Sequence, residues 1–328
     1  MTNPLYRILL VGAGQLGSRY LQGLSKTSKN FQILVVDPNP DALSLARRRF
    51  DQMPVNPNVQ SVMCHQDITE LKGEFDLAII ATNADVRKKV VESLLSSNKI
   101  KYLILEKVVF QSTHDFEKII QLLTSNKINA WVNCPRRIVP FFRKLRREIS
   151  KQYIIRMIIR GSNWGLASNT IHMLDLLSFL SDQLEFLFDI SQLDNRLYDS
   201  KRTGFIELGG KLVAESSRGD RVELYDDKKK KDPLKFIIEY NGKQLDIDQK
   251  MGIVRTSLKD GSWSDESEFT MPMQSEITDG VVRQILENAT SYLTPLEESF
   301  ILHRPMLKAF NQHLSNVLQK PVAVCPIT

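Results

Sequence analysis

A chain of 328 residues is longer than one ordinary hydrophobic core serves, so two domains are expected. With 42% hydrophobic, 25% charged and 8% aromatic residues, it has the composition of a soluble globular protein that needs no staples. No apolar run reaches the ~18 residues of a bilayer span. The net charge of +6 is scattered along the chain, without the recognition motif or aromatic interleaving of a nucleic-acid binder.

Met1 to Arg7 runs straight into an apolar strand and carries no secretion signal, so a cytoplasmic location is expected. Tyr6–Val11 is a short apolar run ended by glycines, the pattern of a strand buried on both faces. A helix is predicted from Gln15 to about Leu24, then a strand, Phe31–Val36, ending at Asp37. Pro38-Asn39-Pro40-Asp41 breaks the chain and caps a helix over Ala42–Phe50. Strands at Asp76–Thr82, Tyr102–Glu106 and Ile128–Val132 alternate with helices at Val86–Ser96 and about Phe116–Leu123. That alternation predicts an α/β, doubly wound parallel sheet, a Rossmann domain over residues 1–135.

Beyond Phe142 the pattern changes. A basic amphipathic helix spans 143–150, Tyr153–Arg160 alternates like a strand, and a helix follows at Asn169–Ser181. Gly204–Leu208, Leu212–Glu215, Arg221–Tyr225 and Phe236–Tyr240 read as strands separated by turns, up to about Phe269. Helices at Ile277–Tyr292 and Leu296–Val317 close the chain. Residues 136–328 are thus expected to form an α+β domain on an open, mostly antiparallel mixed sheet, with the last helices packing back on the first domain.

The densest charge runs have plain explanations. Arg47-Arg48-Arg49 sits near a helix C-terminus, where cations suit the dipole. Asp226 to Pro233, with four consecutive lysines, reads as a solvated turn. Cys64, Cys134 and Cys325 lie far apart without metal-ligand spacing, so buried free thiols are expected and no metal site.

Gly12-Ala13-Gly14-Gln15-Leu16-Gly17 fits G-x-G-x-x-G between a strand and a helix, and Asp37 follows Gly17 by 20 positions at the end of the second strand. Gly12 permits a tight turn, Gly14 lets the backbone approach a pyrophosphate, and Gly17 lets helix pack on strand. The helix N-terminus supplies amide donors. Asp37 accepts from ribose hydroxyls and repels a 2′-phosphate, which favours NAD over NADP.

Ala81-Thr82-Asn83 and Glu106-Lys107 end two further strands. Asn133-Cys134-Pro135-Arg136-Arg137-Ile138-Val139-Pro140 and Gly165-Leu166-Ala167-Ser168-Asn169-Thr170-Ile171-His172-Met173-Leu174-Asp175 follow. In order and spacing these resemble the Gfo/Idh/MocA oxidoreductase family. The resemblance runs to Leu293-Thr294-Pro295-Leu296-Glu297-Glu298 and the helix carrying His303. It implies hydride transfer between a nicotinamide and a hydroxyl-bearing carbon of a sugar or cyclitol, in a cytoplasmic homodimer or homotetramer joined through the second sheet. It implies that Lys107 contacts substrate and nicotinamide ribose, that His172 is the acid–base group, and that Thr82, Asn83 and Glu106 line the cofactor.

Chemistry points the same way for the two catalytic candidates. Alcohol oxidation needs a base near neutrality, which histidine supplies, and a lysine orients the oxygen. Arg136 or Arg137 suits a carboxylate or phosphate on the substrate, with Trp164, Asn169 and Asp175 as further substrate candidates. Each has a plainer reading too: Lys107 as an exposed strand-end lysine, His172 as a hydrogen-bonded structural histidine, Trp164 as packing. His65, His114, His303 and His313 read as surface or packing residues.

Three departures from the family pattern stand out. Val108 replaces a proline after the lysine, Arg87 stands where many members have histidine, and Ser168 stands four residues before His172, where an aspartate is usual. The acid beside His172 is therefore either missing or supplied from elsewhere. The leading expectation is an NAD-dependent sugar dehydrogenase; the alternative is a dinucleotide-binding regulatory or scaffold protein that has lost catalysis.

Overall fold

The computed structural model describes residues 4–257 and 262–328. The first three residues, within the segment read as lacking a secretion signal, lie outside them. The chain divides into two compact units. The first comprises the residues up to Phe110, His114–Asn133 and Pro272–Leu296; the second comprises Gln111–Thr113, Cys134–Met271 and Glu297–Thr328.

In chain order the first unit carries β1 (Leu5–Val11), α1 (Gln15–Leu24), β2 (Asn30–Val36), α2 (Pro40–Asp51), β3 (Val59–His65), β4 (Gly73–Ile80), α3 (Ala84–Ser97), β5 (Asn98–Leu105), α4 (Thr113–Ser125) and β6 (Asn129–Val132). The parallel order β3-β2-β1-β4-β5-β6 reverses between β1 and β4, which places a crevice at the carboxyl ends of those strands. Ile8 to Val11, Ile33, Val35, Val36 and Leu77 to Ile80 are buried, as continuous apolar runs in a sheet covered on both faces must be. Asn39 caps α2 through its side chain, accepting from the Asp41 N–H at 2.9 Å. The sequence reading lacks β3. This strand lies at the sheet edge with only half-buried and exposed residues, so it has no core face to give it a periodic apolar pattern. Its Cys64 is exposed rather than buried for the same reason, whereas Cys134 and Cys325 are buried.

The second unit begins with a 3₁₀ turn (Pro135–Ile138), α5 (Pro140–Glu148), β7 (Ile155–Gly161) and α6 (Leu166–Ser181). There follow β8 (Leu187–Leu193), β9 (Tyr198–Asp199), β10 (Ile206–Glu207), β11 (Gly210–Glu215), β12 (Arg221–Asp226), β13 (Lys235–Tyr240), β14 (Lys243–Asp248), β15 (Ile253–Ser257) and β16 (Trp263–Glu268). The eight-stranded order is β16-β15-β14-β13-β7-β12-β11-β8, antiparallel except where β7 meets β12. Ile155, Met157 and Ile159 of β7 face the core while Arg156 and Arg160 point out. On that outer face Glu223 meets Arg156 at 2.7 Å and Lys211 at 2.8 Å. Phe142 of α5 packs edge-on against Phe269 and tilted against Phe236, anchoring the helix.

The chain ends with α7 (Gln274–Asn288), β17 (Thr294–Pro295) and α8 (Leu296–Leu318). Within the first unit α7 packs on α1, and β17 extends the sheet antiparallel to β6. Among the described residues no helix is long and apolar enough to cross a membrane.

Candidate functional site

The glycine turn of the first unit has the geometry of a phosphate cradle. Gly12 has φ +94°, and a Cβ there would lie 2.9 Å from the Ala81 carbonyl carbon, so no larger residue fits. A Cβ on Gly17 would collide with the Gly12 carbonyl oxygen, so only glycine lets α1 pack this closely. Beside Gly14, by contrast, a Cβ would meet nothing within 4 Å, leaving room for a ligand. Gly14, the N-cap of α1, offers no side-chain cap, and among the described residues the first-turn amides stay available to an anion.

Asp37, at the end of β2, is tied into this turn. One carboxylate oxygen accepts the Ala13 N–H at 2.7 Å, and the other accepts the Asn39 N–H at 2.9 Å. Arg49, read in sequence only as a dipole partner, reaches from α2 to Gln15 Oε1 at 2.7 Å and Ser18 Oγ at 2.6 Å. It fixes the first turn of α1, with Gln15 exposed and Leu16 half-buried.

Thr82 and Asn83 follow β4, the first half-buried and the second exposed, and Asn83 opens α3. The Thr82 Oγ1 is buried with no hydrogen-bond partner among the described residues. Glu106 is buried: its Oε1 accepts Tyr20 Oη at 2.5 Å and Asn133 Nδ2 at 2.6 Å. Asn133 Nδ2 also lies 2.8 Å from Gln274 Oε1. Burial and then the Glu106 carboxylate push the Tyr20 phenol well above its ordinary pKa, so it remains a donor. Lys107 is half-buried beyond Glu106, and its peptide bond to Val108 is cis. Arg87, 1% exposed, donates to the carbonyl oxygens of Val108 at 2.5 Å, Val109 at 2.7 Å and Thr82.

In the second unit α6 carries half-buried His172 one turn after Ser168 and one turn before Asp175. The helix begins behind Gly165, φ +81°, without a side-chain cap from its own N-cap residue. Two buried carboxylates from distant strands serve its first amides instead. Asp226 accepts from Gly165 and Leu166 at 3.1 and 3.2 Å and pairs with Lys228 at 2.7 Å. Glu207 accepts the Ala167 N–H at 2.9 Å, and its other oxygen accepts the Ser168 hydroxyl. The acid absent at position 168 is thus present beside it, delivered by β10. Asp226 is buried and the half-buried Lys228 turns its side chain onto it, so the run 226–233 is not a wholly solvated turn: its first residues plug a helix end.

Asn169 Nδ2 donates to the Trp164 carbonyl at 2.8 Å, and Trp164 Nε1 donates to the Tyr225 carbonyl at 2.9 Å, so both brace the turn before α6. Asp175, 1% exposed, accepts a hydrogen bond from Arg137 Nε at 2.9 Å, and Arg137 Nη2 forms ion pairs with Asp175 at 2.8 Å and Glu298 at 2.7 Å. Burial works against the Arg137 charge, but Asp175 and Glu298 outweigh it and raise its pKa. His303 is fully buried with Nδ1 2.8 Å from the Ser299 carbonyl oxygen, and burial lowers the pKa of His313. Both are packing residues.

Residues 6–134 match the family model described as GFO_IDH_MocA, oxidoreductase family, NAD-binding Rossmann fold. Curated protein sequences return no match. Among solved structures, a Gfo/Idh/MocA family oxidoreductase from Vibrio cholerae superposes with a TM-score of 0.68 at 18% identity, covering 96% of this chain and 100% of that one. The scyllo-inositol dehydrogenase of Lactobacillus casei, solved with NAD(H) and scyllo-inositol, gives 0.65 at 15% identity over 94% and 98%. UDP-N-acetylglucosamine 3-dehydrogenase of Acidithiobacillus ferrooxidans gives 0.61 at 14% identity over 99% and 98%. At these identities the structures show a shared fold across nearly the whole chain. Residues 6–134 are thus similar to the NAD-binding Rossmann domain of the Gfo/Idh/MocA oxidoreductase family.

Proposed function

We propose that the protein is an NAD-dependent oxidoreductase acting on a hydroxyl-bearing carbon of a sugar or sugar derivative. The observation that carries this reading is the cradle: a turn only glycines can make, uncapped α1 amides, and Asp37 held by two backbone N–H groups. Those amides receive the pyrophosphate and Asp37 accepts the adenosine ribose hydroxyls, which disfavours a 2′-phosphate. The bound nicotinamide supplies the hydride chemistry. Lys107 orients and polarises the substrate oxygen, and His172 takes or returns its proton. The names of the Lactobacillus and Acidithiobacillus neighbours, with scyllo-inositol and UDP-N-acetylglucosamine, support a polyol or sugar substrate. The reading of a protein that has lost catalysis rested on Ser168; the Glu207 carboxylate on its hydroxyl weakens that ground.

The test combines NADH fluorescence titration with turnover over a panel of sugars and cyclitols. NADH should bind at least about tenfold more tightly than NADPH, a difference of ~1.4 kcal/mol. Lys107→Ala and His172→Ala should each lower turnover by about 10²-fold or more while leaving NADH binding within a few-fold. Unchanged turnover in both variants would overturn the assignment.

A further inference from the structure

The two adjacent arginines of the 3₁₀ turn have opposite fates. Arg137 forms ion pairs with Asp175 and Glu298, so its charge is neutralised within the protein. Arg136 is half-buried and forms no ion pair among the described residues, and its Nε is buried without an acceptor. Burial drives its pKa down to about 10; Cys134 and Asp175 oppose this only partly, since Asp175 is already taken by Arg137. A guanidinium stays charged at neutral pH even so, and a desolvated charge without a counter-ion is costly to hold.

Its placement gives that cost a use. The 3₁₀ turn packs on α6, and the Arg137–Asp175 bridge ties it to the helix one turn beyond His172. Arg136 therefore presents an unpaired, partly desolvated fork on the element braced against the His172 helix. A fork of this kind matches a carboxylate or a phosphate oxygen pair, which would bring both the missing acceptor and the missing charge.

We propose that Arg136 receives an anionic group of the substrate, so that the substrate is an acidic sugar derivative bearing a carboxylate or phosphate. This rests on the dehydrogenase reading. The closing experiment uses the full-length protein saturated with NADH and measures binding of matched probes: D-glucuronate against D-glucose for a carboxylate, and D-glucose 6-phosphate against D-glucose for a phosphate. At least one acidic probe should bind about tenfold or more tightly than glucose, and Arg136→Gln should erase that preference. Arg136→Lys should keep part of it, as a point charge without the fork. NADH affinity should stay within about twofold in both variants, which also reports that they are folded. No preference for either acid, no binding of either acid up to about 10 mM, or a preference that survives Arg136→Gln overturns the proposal. Turnover of neutral sugars without an acid preference would sink this inference and leave the dehydrogenase reading standing. An Arg136-dependent acid preference without turnover on any sugar would do the reverse.

Discussion

Arg87 shows how one side chain can replace features a sequence comparison marks as lost. Position 108 lacks the proline expected after Lys107, and position 87 lacks the usual histidine. The buried guanidinium donates to the carbonyls of Val108 and Val109 on one side and Thr82 on the other. It therefore ties together the chain ends beyond β4 and β5 that bear the cofactor and lysine candidates. Arg87→Met leaves three carbonyls without this donor, at a cost of about 1–3 kcal/mol for each that stays buried and unsatisfied. Urea denaturation should register a loss of about 2–5 kcal/mol, the range of a broken buried polar network. NADH affinity should fall about tenfold as the two turns relax. Arg87→Lys, with one point donor in place of a fork, should lie between. Wild-type stability and NADH affinity in Arg87→Met would show that the two turns hold themselves. Sequence alone exposed Arg87 only as a departure from a pattern, because its partners are main-chain oxygens, which leave no trace in residue identity.

At the scale of elements, α6 explains why half of the candidate site was legible. Gly12 to Gly17 could be read from sequence because the demands that select glycine there include local ones, a positive φ at Gly12 and the close approach of Gly17 to the Gly12 carbonyl. The start of α6 depends instead on Asp226 and Glu207, which lie 60 and 40 residues from the amides they serve. Spacing of that kind has no sequence signature, so a buried plug resembled part of a lysine-rich turn and the acid beside Ser168 looked absent. β3 escaped notice for a different reason, having no buried face to enforce alternation. If Glu207 anchors α6, Glu207→Gln removes a charge that favours the helix N-terminus and sets an amide N–H₂ where acceptors are required. The second unit should lose about 1–3 kcal/mol. Turnover should drop while NADH binding, which depends on first-unit residues, holds. A variant as stable and active as the parent would remove Glu207 from the account of α6.

Over the whole molecule, neither unit is a continuous stretch of chain, so each depends on distant segments for closure. In the second unit the final residues supply it. Cys325 and Ile327 are buried, the Cys325 N–H donates to the Gln111 carbonyl at 2.9 Å, and Gln111 Nε2 donates to the Ile327 carbonyl at 3.1 Å. The Pro326 carbonyl accepts the Ile206 N–H at 2.9 Å, which pins β10 next to Glu207. A physical line therefore runs from the chain end through β10 to the Glu207 carboxylate, and from there to Ser168 on the His172 helix. Ile327→Ala removes a fully buried side chain, a change that costs about 2–5 kcal/mol depending on how far the site collapses. A thermal melt should reveal that loss. Hydrogen exchange should locate it, with amides 166–169 exchanging faster in the variant while those of β1 and β4 keep their rates. Faster exchange confined to the tail, with 166–169 unchanged, would mean that the chain end closes the unit without supporting the helix that presents His172.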